Sequence, residues 1–187
     1  MDGLLSRLAD HADIEQMSIV MDRAIAELQK GFLTPDEIAS SRAIMGLDRL
    51  LVDDRTYFVV ESDGRIAGCG GWSRRATLYG SSATPGRDPA LLNPDSDPAR
   101  IRAMYTDPEF VRRGVGRLIL RLCEDAARAE GFKMLELMAT LSGAPLYRAF
   151  GFEPVENLTD SRGGAPVPLI KMRKAILPPQ ASNSASQ

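Results

Sequence analysis

Apolar and polar positions alternate along this chain in two rhythms, and they change at turn residues. Residues 4–8 can form a short first strand, and Asp10 can cap the helix after it, with Asp13 near that helix's positive end. Met17, Val20, Met21, Ala24, Ile25 and Leu28 recur at helical spacing as one stripe, and Gly31 ends the helix. Thr34-Pro35-Asp36-Glu37 is a capping box with proline at the first helical position, predicting a second helix that weakens near Gly46. Strand signals cover 57–61 and 65–73, joined by the hairpin turn Ser62-Asp63-Gly64. Further strands are predicted over 100–106, 134–140, 152–155 and 167–172, with helices from the Gly114 turn to Glu130 and over 144–150.

Strand-then-helix alternation with hairpins at both ends predicts an α/β fold on a mixed, mostly antiparallel twisted sheet flanked by helices. The unit strand 100–106, helix, strand 134–140 should be a right-handed parallel crossover. Between the strands, residues 80–98 hold four prolines and two glycines among many Ser, Asp and Asn residues. A loop that long inside a domain is either a mobile insertion or a lid over a substrate.

Composition narrows the function. At 187 residues the chain fits one domain, expected over 1–175, with a flexible polar tail over 176–187. A net charge of −2 gives no reason to expect nucleic-acid binding. No apolar run is long enough for a membrane span, and the N-terminal residues do not read as a signal peptide. Two cysteines make no disulfide framework, so a cytoplasmic location is expected, and a single histidine argues against a His-based metal site.

The chemistry concentrates after residue 100. Arg112, Arg113, Gly114 and Gly116 form a basic glycine turn that opens a helix with Val115, Leu118, Ile119, Leu122 and Cys123 on its apolar side. Bare backbone amides and the positive end of the helix dipole suit a pyrophosphate there. Gly116 is followed by Arg117 and Leu118 rather than Lys-Ser/Thr, so this is no P-loop. Ile119 stands where a dinucleotide fingerprint needs its third glycine.

Val111-Arg112-Arg113-Gly114-Val115-Gly116 resembles the acetyl-CoA loop of the GNAT (Gcn5-related) N-acetyltransferases, Gln/Arg-x-x-Gly-x-Gly/Ala. Val111 departs from the pattern, which touches only a side-chain contact because the family binds through this loop's backbone. Downstream, Tyr147-Arg-Ala-Phe-Gly151-Phe152 resembles the family's Tyr-x-x-x-Gly-Phe segment. The resemblance is sharp over 100–154 and follows the element order over about 4–174. It implies an acyl-CoA N-acyltransferase fold whose central parallel strands splay apart around the pantetheine arm. It also implies acetyl-CoA as co-substrate, an amine acceptor and no metal, and leaves a homodimer open. Cofactor contacts would come from Met104, Tyr105, Thr106, Val111, Arg112, Arg113, Gly114, Val115, Gly116, Arg117 and Ser142.

The same resemblance makes Tyr147 the proton donor to the departing thiolate; the alternative is a core tyrosine. A general base is harder to find. Glu61, Glu109 and Glu136 qualify by type, and Glu136, a charge on a strand, is the first choice, against the alternative of an ion pair with a neighbouring arginine. Many GNAT relatives carry a glutamate on the central strand, where this chain has Arg100 and Arg102. Strand alternation would put Arg100, Arg102 and Met104 on one face and Ile101, Ala103 and Tyr105 on the other. Arg74, Arg75, Arg100 and Arg102 either gather near the acceptor, favouring a carboxylate or phosphate on it, or stand as solvated strand-end charges. Trp72 and Tyr79 are candidates for an acceptor pocket, while Cys69 and Cys123 read as packed. The expected function is acetyl transfer to a primary amine by direct attack in a ternary complex; the alternative is a non-catalytic acyl-CoA sensor.

Overall fold

The computed structural model describes residues 3–81 and 87–178. Seven strands form one sheet in the order β1-β2-β3-β4-β5-β7-β6, where β1 is Leu5–Leu8, β2 Tyr57–Ser62, β3 Arg65–Ser73, β4 Ala99–Thr106, β5 Met134–Thr140, β6 Glu153–Asp160 and β7 Val167–Ala175. Every neighbouring pair is antiparallel except β4 with β5. The β2–β3 turn takes positive φ at both Asp63 (53°) and Gly64 (71°), the twist a two-residue hairpin requires.

The predicted caps form as read. Asp10 and Asp13 close a reciprocal box ahead of α1 (Ile14–Leu28), and Thr34 and Glu37 another at α2 (Pro35–Ser41). The second helix stops at Ser41, short of Gly46. A third, α3 (Arg49–Asp53), escapes the sequence reading because five residues carry too little periodicity. Its cap is Asp48, whose side chain accepts from Leu50 N. The last two strands run longer than expected, since β6 is an exposed sheet edge whose side chains show no buried alternation. Ile176 is buried in the main core, so the packed fold reaches past residue 175; the expected tail from 179 onward lies outside the described residues.

One core lies between the sheet and α4 (Val115–Ala129), around Trp72, Ile101, Ile119, Leu120, Leu135 and Phe152. A second lies on the opposite face, where Met17, Val20 and Ile25 of α1 and Leu51 of α3 meet Tyr57 and Val59. The glycines of β3 allow α4 to come close. A Cβ on Gly68 would lie 2.5 Å from Val115 Cγ1, and one on Gly70 2.7 Å from Ile119 Cγ2.

The central pair determines where the site can be. β4 and β5 pair only at Ala99↔Leu135 and Arg100↔Glu136, then separate. Beyond that point β4 keeps β3 on its outer side and β5 keeps β7, leaving their inner edges open to each other. Within β4 the register to β3 slips between Cys69 and Gly71, and Ala103 takes a positive φ of 49°. This bulge overturns the expected alternation: Met104 packs toward α4 with Ile101, while Arg102 and Tyr105 face the α1 and α3 side.

Candidate active site

The chain leaves β4 through a 3-10 turn, Pro108–Phe110, that Asp107 caps by accepting from Glu109 N at 2.9 Å. Arg112 (φ 65°) and Gly114 (φ 88°) then turn the backbone left-handed into α4. Gly114 is the N-cap and brings no capping side chain. The first intrahelical bond comes from Leu118 N, so the amides of Val115, Gly116 and Arg117 have no partner among the described residues. Three free amides at a helix N-terminus, beside Arg112 and Arg117, make a cradle for an anion.

This cradle closes one end of a cleft of about 590 Å³. Met104, Tyr105 and Thr106 on the open edge of β4, Val111, Arg112, Gly114, Val115, Gly116 and Arg117 on the turn, and Ser142 and Tyr147 beyond β5 all line it. Of the expected cofactor contacts only Arg113 is outside the lining; its guanidinium lies 5.1 Å from the centre of the Phe110 ring. The sequence reading missed the opposite wall, made by Ala24 and Leu28 of α1 and its C-cap Gln29, together with Met45. Ala24 and Leu28 were visible as an i, i+4 pair, but their stripe looked like core alone.

Tyr147 stands on α5 (Ala144–Ala149), where Pro145 occupies the first turn. Its ring meets Phe152 edge-on at 6.0 Å. The residue is only 9% exposed, and no described residue hydrogen-bonds its hydroxyl. Burial pushes the phenol above its ordinary value of 10.0, and the buried Cys123 thiol adds to that push. It is therefore a neutral phenol with a proton to give at physiological pH.

A second, smaller chamber of about 90 Å³ adjoins the cleft. Met45, Met104, Tyr105, Thr140 and Tyr147 line both, so the two meet at the tyrosine. Ile44, Gly46, Leu78, Tyr79, Gly80, Arg102 and Met138 are among the remaining wall residues. Part of the 80–98 segment thus contributes to the wall; residues 82–86 lie outside the described residues. Tyr79 donates to Asp160 at 3.0 Å. Arg102, 4% exposed, pairs with Asp48 at 2.9 Å and donates to the Gly80 carbonyl at 2.6 Å. Arg87 pairs with the same Asp48 oxygen at 2.6 Å. Burial pulls the Arg102 guanidinium below its ordinary value; Asp48 opposes that shift and Arg87 adds to it.

The other candidates are placed elsewhere. Glu136 is 2% exposed, held by Arg100 and Arg173 with Lys171 at 3.9 Å, and it lines neither cavity. Glu61 pairs with Arg7, and Glu109 with Arg23 and Arg65. The four arginines do not gather: Arg74 pairs with Glu130, Arg75 with Asp54 and Arg100 with Glu136, leaving Arg102 alone at the chamber. Trp72 is core, edge-on to Phe132 at 5.9 Å. Both cysteines are buried; burial pushes the Cys69 thiol up to about 12, so neither is a nucleophile. Among the described residues no group of three or more His, Cys, Asp or Glu could hold a metal ion, and no helix is long and apolar enough to cross a membrane.

The model of the acetyltransferase (GNAT) family matches residues 21–152. The chain belongs to the GNAT acetyltransferase family. Among curated relatives of this acetyltransferase is the uncharacterized N-acetyltransferase YsnE of Bacillus subtilis (strain 168), 26% identical over 121 residues, which span 62% of this chain and 68% of that protein. Two solved structures share its fold. A GCN5-related N-acetyltransferase from Rhodopseudomonas palustris superposes with a TM-score of 0.69 at 19% identity, covering 94% of this chain and 97% of its own. The PaiA N-acetyltransferase of Thermoplasma acidophilum, solved in complex with coenzyme A, gives 0.62 at 15% identity, covering 92% of this chain and 99% of its own. In this GNAT chain the matched region includes the splayed strands, the glycine turn and Tyr147.

Proposed function

We propose that this protein transfers the acetyl group of acetyl-CoA to a primary amine by direct attack in a ternary complex. One observation carries the reading. A single cleft runs from the uncapped N-terminus of α4, past the open edge of β4, to Tyr147. In this reading the amides of 112–116, with Arg112 and Arg117 beside them, hold the pyrophosphate. The backbone of Met104 and Tyr105 pairs with the pantetheine amides as an added strand would. The thioester then lies where cleft and chamber meet.

The acceptor nitrogen attacks the thioester carbonyl from the chamber, forming the C–N bond as the C–S bond breaks. The Tyr147 phenol gives its proton to the departing sulfur and regains one from solvent. The acceptor ammonium first gives one proton to water to free its lone pair, and the nitrogen gives a second to water as the amide forms, since no carboxylate or histidine lines the chamber among the described residues. The two free, buried cysteines support a reducing, cytoplasmic setting.

Thiol release from acetyl-CoA over an amine panel tests the reading. We expect amine-dependent release, lost in large part on Tyr147→Phe. Acetyl-CoA binding with no release from any amine would favour the alternative, a non-catalytic acyl-CoA sensor.

A further inference from the structure

The acceptor chamber holds one feature that acetyl transfer alone does not require. Arg102 is the only formally charged side chain among its described wall residues. Its guanidinium has five N–H donors. Asp48 engages one terminal nitrogen and the Gly80 carbonyl the other, which takes up two of the five. The charges joined to that wall do not cancel. Arg102 and Arg87 share the single carboxylate of Asp48, which is 1% exposed. Tyr79 touches a second group, Asp160, which Arg162 neutralises at 2.6 Å. The balance is one positive charge, largely withdrawn from water. Such a charge is costly unless something anionic arrives.

The same wall would repel a bare ammonium. A cationic polyamine or a lysine side chain with no anion nearby would meet Arg102 uncompensated. A carboxylate on the acceptor would engage the guanidinium by charge-assisted hydrogen bonds. With that partner in place the amine could stand toward Tyr147 on the chamber's other wall. At about 90 Å³ the chamber is far smaller than the roughly 300–1,000 Å³ of a drug-sized pocket, so the acceptor portion it takes is short.

We infer that the acceptor is a small amine that also carries a carboxylate, of the amino-acid type, with Arg102 as its carboxylate-binding residue. This rests on the acetyltransferase reading of the same site. It identifies a recognition group on β4, the strand whose open edge lines the cleft.

The test offers each amine twice, as the free acid and as its primary amide: glycine with glycinamide, alanine with alaninamide, β-alanine with its amide. The amide is the less basic amine and so has more free base at neutral pH, which weights the comparison against the inference. Two readouts are taken on the whole protein: kcat/KM from thiol release, and calorimetric affinity of each acceptor for the CoA-loaded protein. We expect at least one acid to exceed its amide about tenfold or more in both. On Arg102→Met that ratio should fall to about one, and on Arg102→Lys it should recover in part, because charge returns without the fork. Acetyl-CoA affinity should be unchanged in both variants. If Arg102→Met does not fold, the wild-type ratios decide alone. Acids bound in preference to amides without thiol release would overturn the transfer reading and leave the carboxylate site standing. Amides equal to or better than every acid in both readouts would overturn the inference, whatever the turnover.

Discussion

At the scale of the single residue, the proposed proton donor is Tyr147. Phenylalanine keeps the packing on Phe152 and removes the proton, so kcat should fall about 10- to 1,000-fold with acetyl-CoA affinity unchanged. The pH profile follows from the sign of its shift. Burial raises the phenol above 10.0, so the donating form persists throughout the neutral range. No alkaline loss of kcat should come from Tyr147 below pH 10.0; a descending limb near pH 8 that vanishes in Tyr147→Phe would contradict this. Glu136 illustrates the other outcome. As a charge on a strand it drew attention as a base, but Arg100 and Arg173 hold it in the interior. Glu136→Ala leaves two arginines uncompensated and should lower stability by about 3–5 kcal/mol, with kcat per folded molecule retained. Lost kcat at an unchanged Tm would return it to the chemistry. Tyr147 and the glycine turn were legible in the sequence because each lies within a short contiguous motif. Arg102 with Asp48 was not. The two stand on separate elements with β2 and β3 between them in the chain, and a bulge decides which face Arg102 takes.

At the scale of elements, sequence punctuation was most informative where a turn or cap marked the boundary. The hairpin strand 65–73 begins where the Asp63-Gly64 turn requires, and the strand 134–140 forms over its expected residues after Gly131 closes α4. α3 and the length of β6 were hidden because one is too short for a period and the other is an exposed edge. The β4 bulge was hidden as well, since alternation assumes an unbroken ladder. The glycines of β3 have a role that composition could only suggest. A Cβ on Gly68 would lie 2.8 Å from the Tyr105 carbonyl oxygen, which is backbone and cannot rotate away. Gly68→Ala should therefore lower stability by about 1–3 kcal/mol, read as a drop in Tm. It should also weaken acetyl-CoA binding, because Val115 begins the helix that forms the cradle. An unchanged Tm would mean that α4 does not depend on this close approach.

For the whole molecule, the element order was enough to give the fold class, while the boundaries of the cavities came only from three dimensions. Charge pairing over the surface predicts how the protein responds to acid. Arg7 holds the Asp13 carboxyl below 3.8, Arg75 does the same for Asp54, and Arg162 for Asp160. A carboxyl depressed in the folded state adds stability above its unfolded pKa and loses it as pH falls through the folded value. Tm should hold from pH 8 to 5 and decline below about pH 4. A decline already complete at pH 5 would need other groups. The central claim is that the uncapped turn into α4 holds the CoA pyrophosphate, and Gly114 tests it most directly. A Cβ there would meet nothing within 4 Å, so a side chain can leave the backbone into open space, at some backbone strain from the φ of 88°. The carboxylate of a glutamate there would bring negative charge to the proposed phosphate site. The decisive measurement is a calorimetric titration of acetyl-CoA into the wild type, Gly114→Ala and Gly114→Glu, each shown folded by circular dichroism. We expect one molecule bound per chain in the wild type, modest weakening with alanine, and no detectable binding with glutamate. Wild-type affinity in a folded Gly114→Glu protein would place the pyrophosphate elsewhere.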